Sequence, residues 1–370
     1  MEQKRRLDTW VVFGTLALLL LAGLYTLLWP QGDFSESEKR YLNPAPSVPD
    51  LTRWQTDREM EAYLSDRIPL RRVLVGIDAE VQVLTGRRTQ LAAWPVGENI
   101  LEVPVEGKAA DVRKRLDSFR RLAEEAGKPW KLLVPPTHGS LLRRQMNGLM
   151  ERLYQAEDEL TDVLEAEEHL IPLKEAFEGF AEKEALYYRT DHHWTLQGAY
   201  LAYTRYCETV GREAKPLAFF RLQSFAGFMG TTASRSGLTW GQPDTLACAE
   251  PPGPVTMTIR ETEESFGQLI FPDQAASWDG YAVYLNGNHG MLEIENPEAE
   301  SGTLLIFKDS FANCLIPLLA ANYRRIVAVD ARYWKENFSH VIESVEADEI
   351  LFCYSLDSLA HDTMLIRRAK

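Results

Sequence analysis

Gly302-Thr303-Leu304-Leu305-Ile306-Phe307-Lys308-Asp309-Ser310 is the stretch that decides the fold. Six residues free of charge, apolar from Leu304 to Phe307, run into a charged dipeptide and a serine, and a helix is expected from Phe311 to Ala321. A strand this apolar is covered on both faces, as in a parallel sheet. The same rhythm continues: a strand at Arg325 to Val329, a short helix at Val341 to Val345 and a last strand at Glu349 to Tyr354. Upstream, Val112 to Ala126 reads as an amphipathic helix ending at Gly127. Trp130 to Val134 reads as a strand stopped by Pro135-Pro136, Leu149 to Leu164 as a helix behind the breaker Asn147-Gly148, and His169 to Leu173 as a short strand. Thr195 to Val210 reads as a helix closed by Gly211. The fold class is α/β, a parallel sheet with helices on both faces.

Between about residues 216 and 300, Gly, Ser, Thr and Pro become common, and the region reads as a β-rich insertion. Its strands are expected at Val255 to Ile259, where the pattern alternates, and at Tyr281 to Leu285, before the turn Asn286-Gly287.

Ligands of an open parallel sheet gather at the carboxyl ends of its strands. Ser310 stands at such an end, where backbone N–H groups of the following helix can hold a developing oxyanion. The competing reading is that Asp309 or Ser310 only caps the helix. A denser signal is Asp191-His192-His193-Trp194. On an extended segment Asp191 and His193 share a face and His192 points away, so one carboxylate can orient one imidazole. That arrangement argues against a metal, because His192 and His193 then diverge. The structural alternative is a hydrogen-bonded core histidine beside a capping aspartate. Asn288, in Asn286-Gly287-Asn288-His289-Gly290, is a candidate oxyanion or sugar donor, or part of a plain turn. Arg235 lies in a polar loop where a carboxylate or glycan contact competes with simple solvation.

The chain has 370 residues, a formal net charge of -14 and 45% hydrophobic residues. That acidity excludes nucleic acid as the main partner, since phosphate binding needs a basic footprint. Four cysteines are scattered without CxxC spacing, so neither a zinc site nor a thioredoxin motif is expected. Cys314 and Cys353 read as buried thiols, and a Cys207–Cys248 disulfide stays open.

Lys4, Arg5 and Arg6 precede an uncharged run from Trp10 to Trp29. Its length fits a membrane span, with Trp at both interfaces and the basic cluster on the cytoplasmic side. A cleaved signal peptide is the alternative, but Pro30-Gln31 offers no small-residue cleavage site. Residues 31–51 read as a Pro-rich stalk, and Arg53 to Gly86 as a helical stretch split at Pro69. The expected organisation is a cytoplasmic tip and anchor over 1–30, a stalk and helical segment over 31–90, and an extracytoplasmic domain over 91–370.

Asp191-His192-His193-Trp194 resembles the signature of the DHHW proteins, relatives of the alginate O-acetyltransferases of the AlgJ and AlgX type. The resemblance takes in the anchor, Asp66-Arg67-Ile68-Pro69, Gly198-Ala199, Tyr281 to Gly290, Lys308 to Asn313 and Asp330-Ala331-Arg332-Tyr333. It implies a three-layer SGNH-hydrolase-like domain, with Ser310 as nucleophile, His193 as general base and Asp191 as its orienter. Lys308 stands where typical SGNH hydrolases carry Gly, which affects the oxyanion hole and so the simple esterase analogy. The activity implied is O-acetylation of a cell-surface or secreted polysaccharide, without cofactor or metal. A membrane-bound O-acyltransferase is implied as acetyl supplier. The rivals are a carbohydrate esterase or deacetylase and a non-catalytic glycan-binding scaffold. The residues leave the glycan, the acetyl donor and the oligomeric state open.

Overall fold

The structure is a computed structural model that describes residues 2–28, 32–45, 54–87, 89, 93–146, 152–238 and 241–369, without the side chains of 2–9, 27 and 54–57. The side chains of the basic cluster at Lys4 to Arg6, together with Trp29 to Gln31, residues 46–51 of the Pro-rich stalk and the breaker Asn147-Gly148, lie outside what is described. The chain divides into two compact units, residues 1–91 with Ser234–Thr239, and Ala92–Ala233 with Trp240–Lys370.

The described residues of the first unit include the helices Glu2–Leu28, Trp54–Asp66 and Arg71–Leu84. In the first of them Trp10, Val11, Phe13 and Leu18 to Leu21 are exposed. Among the described residues no helix is long and apolar enough to cross a membrane. The transmembrane helix expected at Trp10 to Trp29 is therefore unsupported among the described residues. The break at Pro69 falls between the second and third helices, as its missing N–H requires. Asp66, at the end of the second helix, accepts hydrogen bonds from Arg40 at 2.5 and 3.0 Å and from Asn43 at 2.7 and 2.8 Å. Burial works against its charge, yet Arg40 and Asn43 hold the carboxyl down to about 2.

The second unit is built on one sheet of seven strands: β1 Trp130–Leu133, β2 Thr256–Ile259, β3 Glu264–Phe266, β4 Met291–Glu295, β5 Thr303–Lys308, β6 Arg325–Val329 and β7 Glu349–Cys353. Their order is β1-β7-β5-β6-β4-β2-β3. The first four in that order are parallel and the rest antiparallel. Leu304, Ile306, Ile326 and Ala328 point into one core, and Leu305, Phe307, Val327 and Val329 into another. The strands are continuous in apolar residues because both faces are covered, by helices such as Leu196–Val210 and Ala312–Leu319 on one side and Ala109–Glu125 on the other.

Three expectations need correction. Residues 169–173 form no strand and make only an isolated bridge, Leu132 to Leu170, since Leu170, Ile171 and Leu173 pack as a loop. Tyr281 to Leu285 is a 3-10 turn, Gly280–Val283, rather than a strand. Nearly every residue of that run is buried, so its alternation does not mark two faces of a strand. The turn at Asn286-Gly287 does form, with positive φ at Leu285, Asn286 and Gly287. Finally, the region 216–300 is not one separate β insertion. The hairpin Arg221–Phe228/Asp244–Glu250 stands apart, but β2, β3 and β4 extend the main sheet. All four cysteines are buried and free, which closes the Cys207–Cys248 pairing left open by the sequence.

Candidate active site

β5 delivers Ser310 to the carboxyl end of the parallel sheet. Asp309 shapes the turn: its Oδ1 accepts the Phe311 N–H at 3.0 Å, and its Oδ2 accepts the Ser355 N–H and the Ser358 hydroxyl, both at 2.7 Å. The capping role expected for Asp309 or Ser310 thus falls to Asp309, which also ties the turn to the end of β7. Burial opposes its charge, but Arg332 and these donors keep the Asp309 carboxyl below the usual carboxylate range. Ser310 itself is half-buried.

The second half arrives on the loop 188–193. Tyr187 and Trp194 form an antiparallel bridge, and the Tyr188 N–H donates to the His193 carbonyl at 3.2 Å, so the residues between them fold into a tight bend. Trp194 is fully buried and its Nε1–H donates to the Phe311 carbonyl at 3.0 Å, which pins the bend against the turn that carries Ser310. His193 then stands between both halves. Its Nε2 lies 2.8 Å from Ser310 Oγ, and its Nδ1 lies 2.5 Å from Asp191 Oδ1. Asp191 Oδ1 also accepts the His193 N–H at 3.0 Å, and Oδ2 accepts the Thr231 N–H at 2.6 Å. The imidazole stacks on Tyr281, with ring centroids 3.9 Å apart and planes 12° from parallel.

Charges follow from these contacts. Burial raises the cost of ionising Asp191, but His192, His193 and the N–H donors hold it far below the ordinary range. Burial and the neighbouring His192 push the His193 imidazole down, against the pull of Asp191. His192 is raised: burial works against its charge, but Glu102 and Asp191 outweigh it. The extended geometry expected for Asp191 to His193 is not what pairs them; an Asx-type bend does so. His192 does not point away either. Its ring lies 4.0 Å from the His193 ring, and its Nδ1 is 3.6 Å from Asp191 Oδ1 and 3.5 Å from Glu102. Asp191, His192 and His193 thereby bring one ligand atom each within 4.8 Å of one another. Three donors meet the minimum for a catalytic zinc. Two of the three, however, are spent on each other at 2.5 Å, and the far nitrogen of His193 faces Ser310.

Asn288 is half-buried and its Oδ1 accepts from Asn313 Nδ2 at 3.0 Å; Asn313 Oδ1 accepts from Lys308 Nζ at 2.7 Å. Lys308 is fully buried, and Asp330 lies 3.8 Å from its ammonium while holding Arg332 at 2.6 Å. Burial lowers the Lys308 ammonium and Asp330 partly restores it. Arg235 is exposed and belongs to the first unit, not to the unit that carries Ser310.

Several contributors escape a reading of the sequence. Thr231 offers only a backbone N–H, which any residue supplies. Gly230 is needed because a Cβ there would overlap Asp191 Cβ and the Thr190 carbonyl. Asp244 clamps the start of the bend, accepting from the Thr190 N–H at 2.9 Å and its hydroxyl at 2.6 Å. Tyr281 was visible as part of an apolar run and of the stretch carrying the resemblance, with no sign of its stacking on His193.

Residues 176–329 match the family described as DHHW protein. The matched segment contains the Asp191–Trp194 bend, β2 to β6 and Ser310. No curated protein matches the sequence. Among solved structures, a DHHW family protein from Eubacterium siraeum is similar with a TM-score of 0.63 at 20% identity, over 75% of this chain and 94% of that one. PatB1 of Bacillus cereus, solved with a sulfonyl adduct, is similar with a TM-score of 0.61 at 20% identity, over 74% and 97% of the two chains. The O-acetyltransferase domain of Pseudomonas putida AlgJ is more distant, with a TM-score of 0.39 at 13% identity over 68% and 84%. The first two establish a shared mixed α/β fold with a mostly parallel central sheet.

Proposed function

We propose that this DHHW-like chain is an O-acetyltransferase acting on a polysaccharide through an acyl-enzyme at Ser310, on an SGNH-hydrolase-like domain. The observation that carries the reading is His193, held between Asp191 at 2.5 Å and Ser310 Oγ at 2.8 Å. Both distances are within reach for proton transfer. His193 Nε2 takes the serine proton as Oγ attacks the acetyl carbonyl. The donor's leaving oxygen regains that proton from His193. A sugar hydroxyl then loses its proton to the same nitrogen, attacks the acetyl carbon and releases Ser310. Asp191 fixes the tautomer and steadies the transient imidazolium. The backbone N–H of Ser310 itself and the Asn288 amide hold the oxyanion, since the N–H groups of Phe311 and Asn313 are spent on Asp309 and the Ser310 carbonyl.

The choice of acetyl transfer to a glycan draws on the resemblance to the DHHW proteins. The wider setting follows from the same reading: a single-pass anchor at Trp10 to Trp29 with the amino terminus cytoplasmic, the larger unit outside the membrane, and a membrane-bound O-acyltransferase as the source of acetyl groups. No cofactor enters the scheme.

The test uses an activated acetyl ester with and without oligosaccharide acceptors. Acetyl-Ser310 detected by mass spectrometry and chased onto the oligosaccharide is the expected result. Release to water alone, at the same rate with every acceptor, turns the reading into an esterase. Unchanged acetylation by Ser310→Ala overturns it. By the same chemistry, a sulfonyl fluoride is expected to mark Ser310, and not to mark a His193→Ala variant at a comparable rate.

A further inference from the structure

We propose that Lys308 and Asn313 are positioning residues that set the polarity of the Asn288 amide, so that its Nδ2 faces the acyl oxygen at Ser310. This rests on the acyl-transfer reading of Ser310 above. The starting point is chemical: an ammonium has only donors, so whatever touches Lys308 Nζ at 2.7 Å is an oxygen. That oxygen belongs to Asn313. Its amide nitrogen is then turned the other way, and there it meets Asn288 at 3.0 Å. An amide nitrogen donates, so the Asn288 atom it meets is Oδ1. The one orientation left for Asn288 sends Nδ2 outward from the chain of contacts.

Each link is held by the fold. Lys308 is the last residue of β5 and Asn313 sits one helical turn beyond Ser310, with its N–H donating to the Ser310 carbonyl at 3.1 Å. Asn288 precedes β4, which runs antiparallel to β6 with Met291 opposite Val329, so it arrives at the same end of the sheet. Lys308 and Asn313 are buried and Asn288 is half-buried, so the open end of the chain is the asparagine nearest solvent. Asp330 faces Lys308 from β6 and holds Arg332 beside it. Lys308, just before Asp309-Ser310, thus removes the two-fold ambiguity of two consecutive amides.

The experiment measures the pre-steady-state acetylation of Ser310 in the full-length protein by p-nitrophenyl acetate. Asn288→Asp is the sharpest variant. It keeps an acceptor for Asn313 but carries no donor, so a role confined to holding the loop predicts a normal rate. The expected result is a loss of about 100-fold or more with little change in KM, the scale seen for one oxyanion donor. Asn313→Asp retains its bond to Lys308 and forces Asn288 to turn its donor inward; it should fall by a similar factor while its Tm holds or rises. Lys308→Arg, still a donor, should recover part of the rate lost in Lys308→Met. In Asn288→Asp/Asn313→Asp the losses should not multiply, because both remove one donor. Rates within about threefold of the parent for Asn288→Asp, or losses that multiply, overturn the proposal. Acetylation that persists in Ser310→Ala instead sinks the acyl-transfer reading beneath it, so the two failures are distinct.

Discussion

Two buried aspartates belong to this site, one on the bend 188–193 and one on the turn that carries Ser310, and they are used differently. Asp191 accepts two backbone N–H groups and spends its remaining capacity on an imidazole. Asp309 is adjacent to Ser310 in sequence, yet every donor it meets is a backbone N–H or a serine hydroxyl. The first can stabilise a charge that appears and disappears; the second stabilises a shape. Proximity in sequence to the nucleophile is therefore a poor guide to which carboxylate takes part in proton transfer.

The largest effect should come from the groups that join the two regions. Ser310→Ala or His193→Ala should reduce acyl transfer on the order of 10⁴-fold or more, read as single-turnover acetylation. Asp191→Asn should follow, at roughly 10³ to 10⁴-fold in kcat with the fold intact by circular dichroism. Asp309→Asn provides the contrast. It should cost about 2 kcal/mol of stability, from hydrogen bonds to a buried charge, and lower kcat far less than Asp191→Asn does. Equal kcat losses at both positions would erase the distinction between the two carboxylates.

Acid titration sharpens the same comparison. Both carboxyls lie below their unfolded value near 4, so their contribution to stability is full above that pH and is lost as pH falls through the folded values. Denaturant midpoints followed from pH 6 to pH 2 should fall less steeply in Asp309→Asn than in the parent. The smallest effect expected is at His192. His193 must be neutral to accept the serine proton, and its imidazole lies below the ordinary 6.5, so the acid limb of the rate profile should fall below that pH. Removing the neighbouring charge with His192→Gln should move that limb upward, towards the ordinary value. An unmoved limb would mean that His192 carries no charge beside His193.

The strands nearest the site were legible because burial on both faces writes an unbroken apolar run: Arg325 to Val329 is a strand to the residue, β5 is shifted from Gly302–Phe307 by one residue at each end, and β7 stops one residue before Tyr354. The pairing of Asp191 with His193 was legible for a different reason than the one that operates. Spacing suggested an extended segment, whereas Asp191 bonds to the backbone of His193 in a bend. His192 was misplaced by the same premise. Tyr281 to Leu285 failed because a run buried on all sides carries no period.

By itself the sequence determined which chemistry is available: a serine at a strand end, an Asp-x-His pair, an asparagine in a turn, and a lysine where no charge is expected. These depend on local patterns of two to six residues, and local patterns are what a chain displays. Only the tertiary structure decided who meets whom. Gly230 admits the Thr231 N–H to Asp191, Trp194 locks the bend onto Phe311, and Lys308 reaches Asn288 through Asn313. Such contacts join segments far apart in the chain through backbone groups and amides that nearly any residue could supply, so no local pattern marks them. The stretch ending in Ser310 thus marks a serine at a strand end, and the folded carboxyl end of the sheet brings His193 and Asp191 to it.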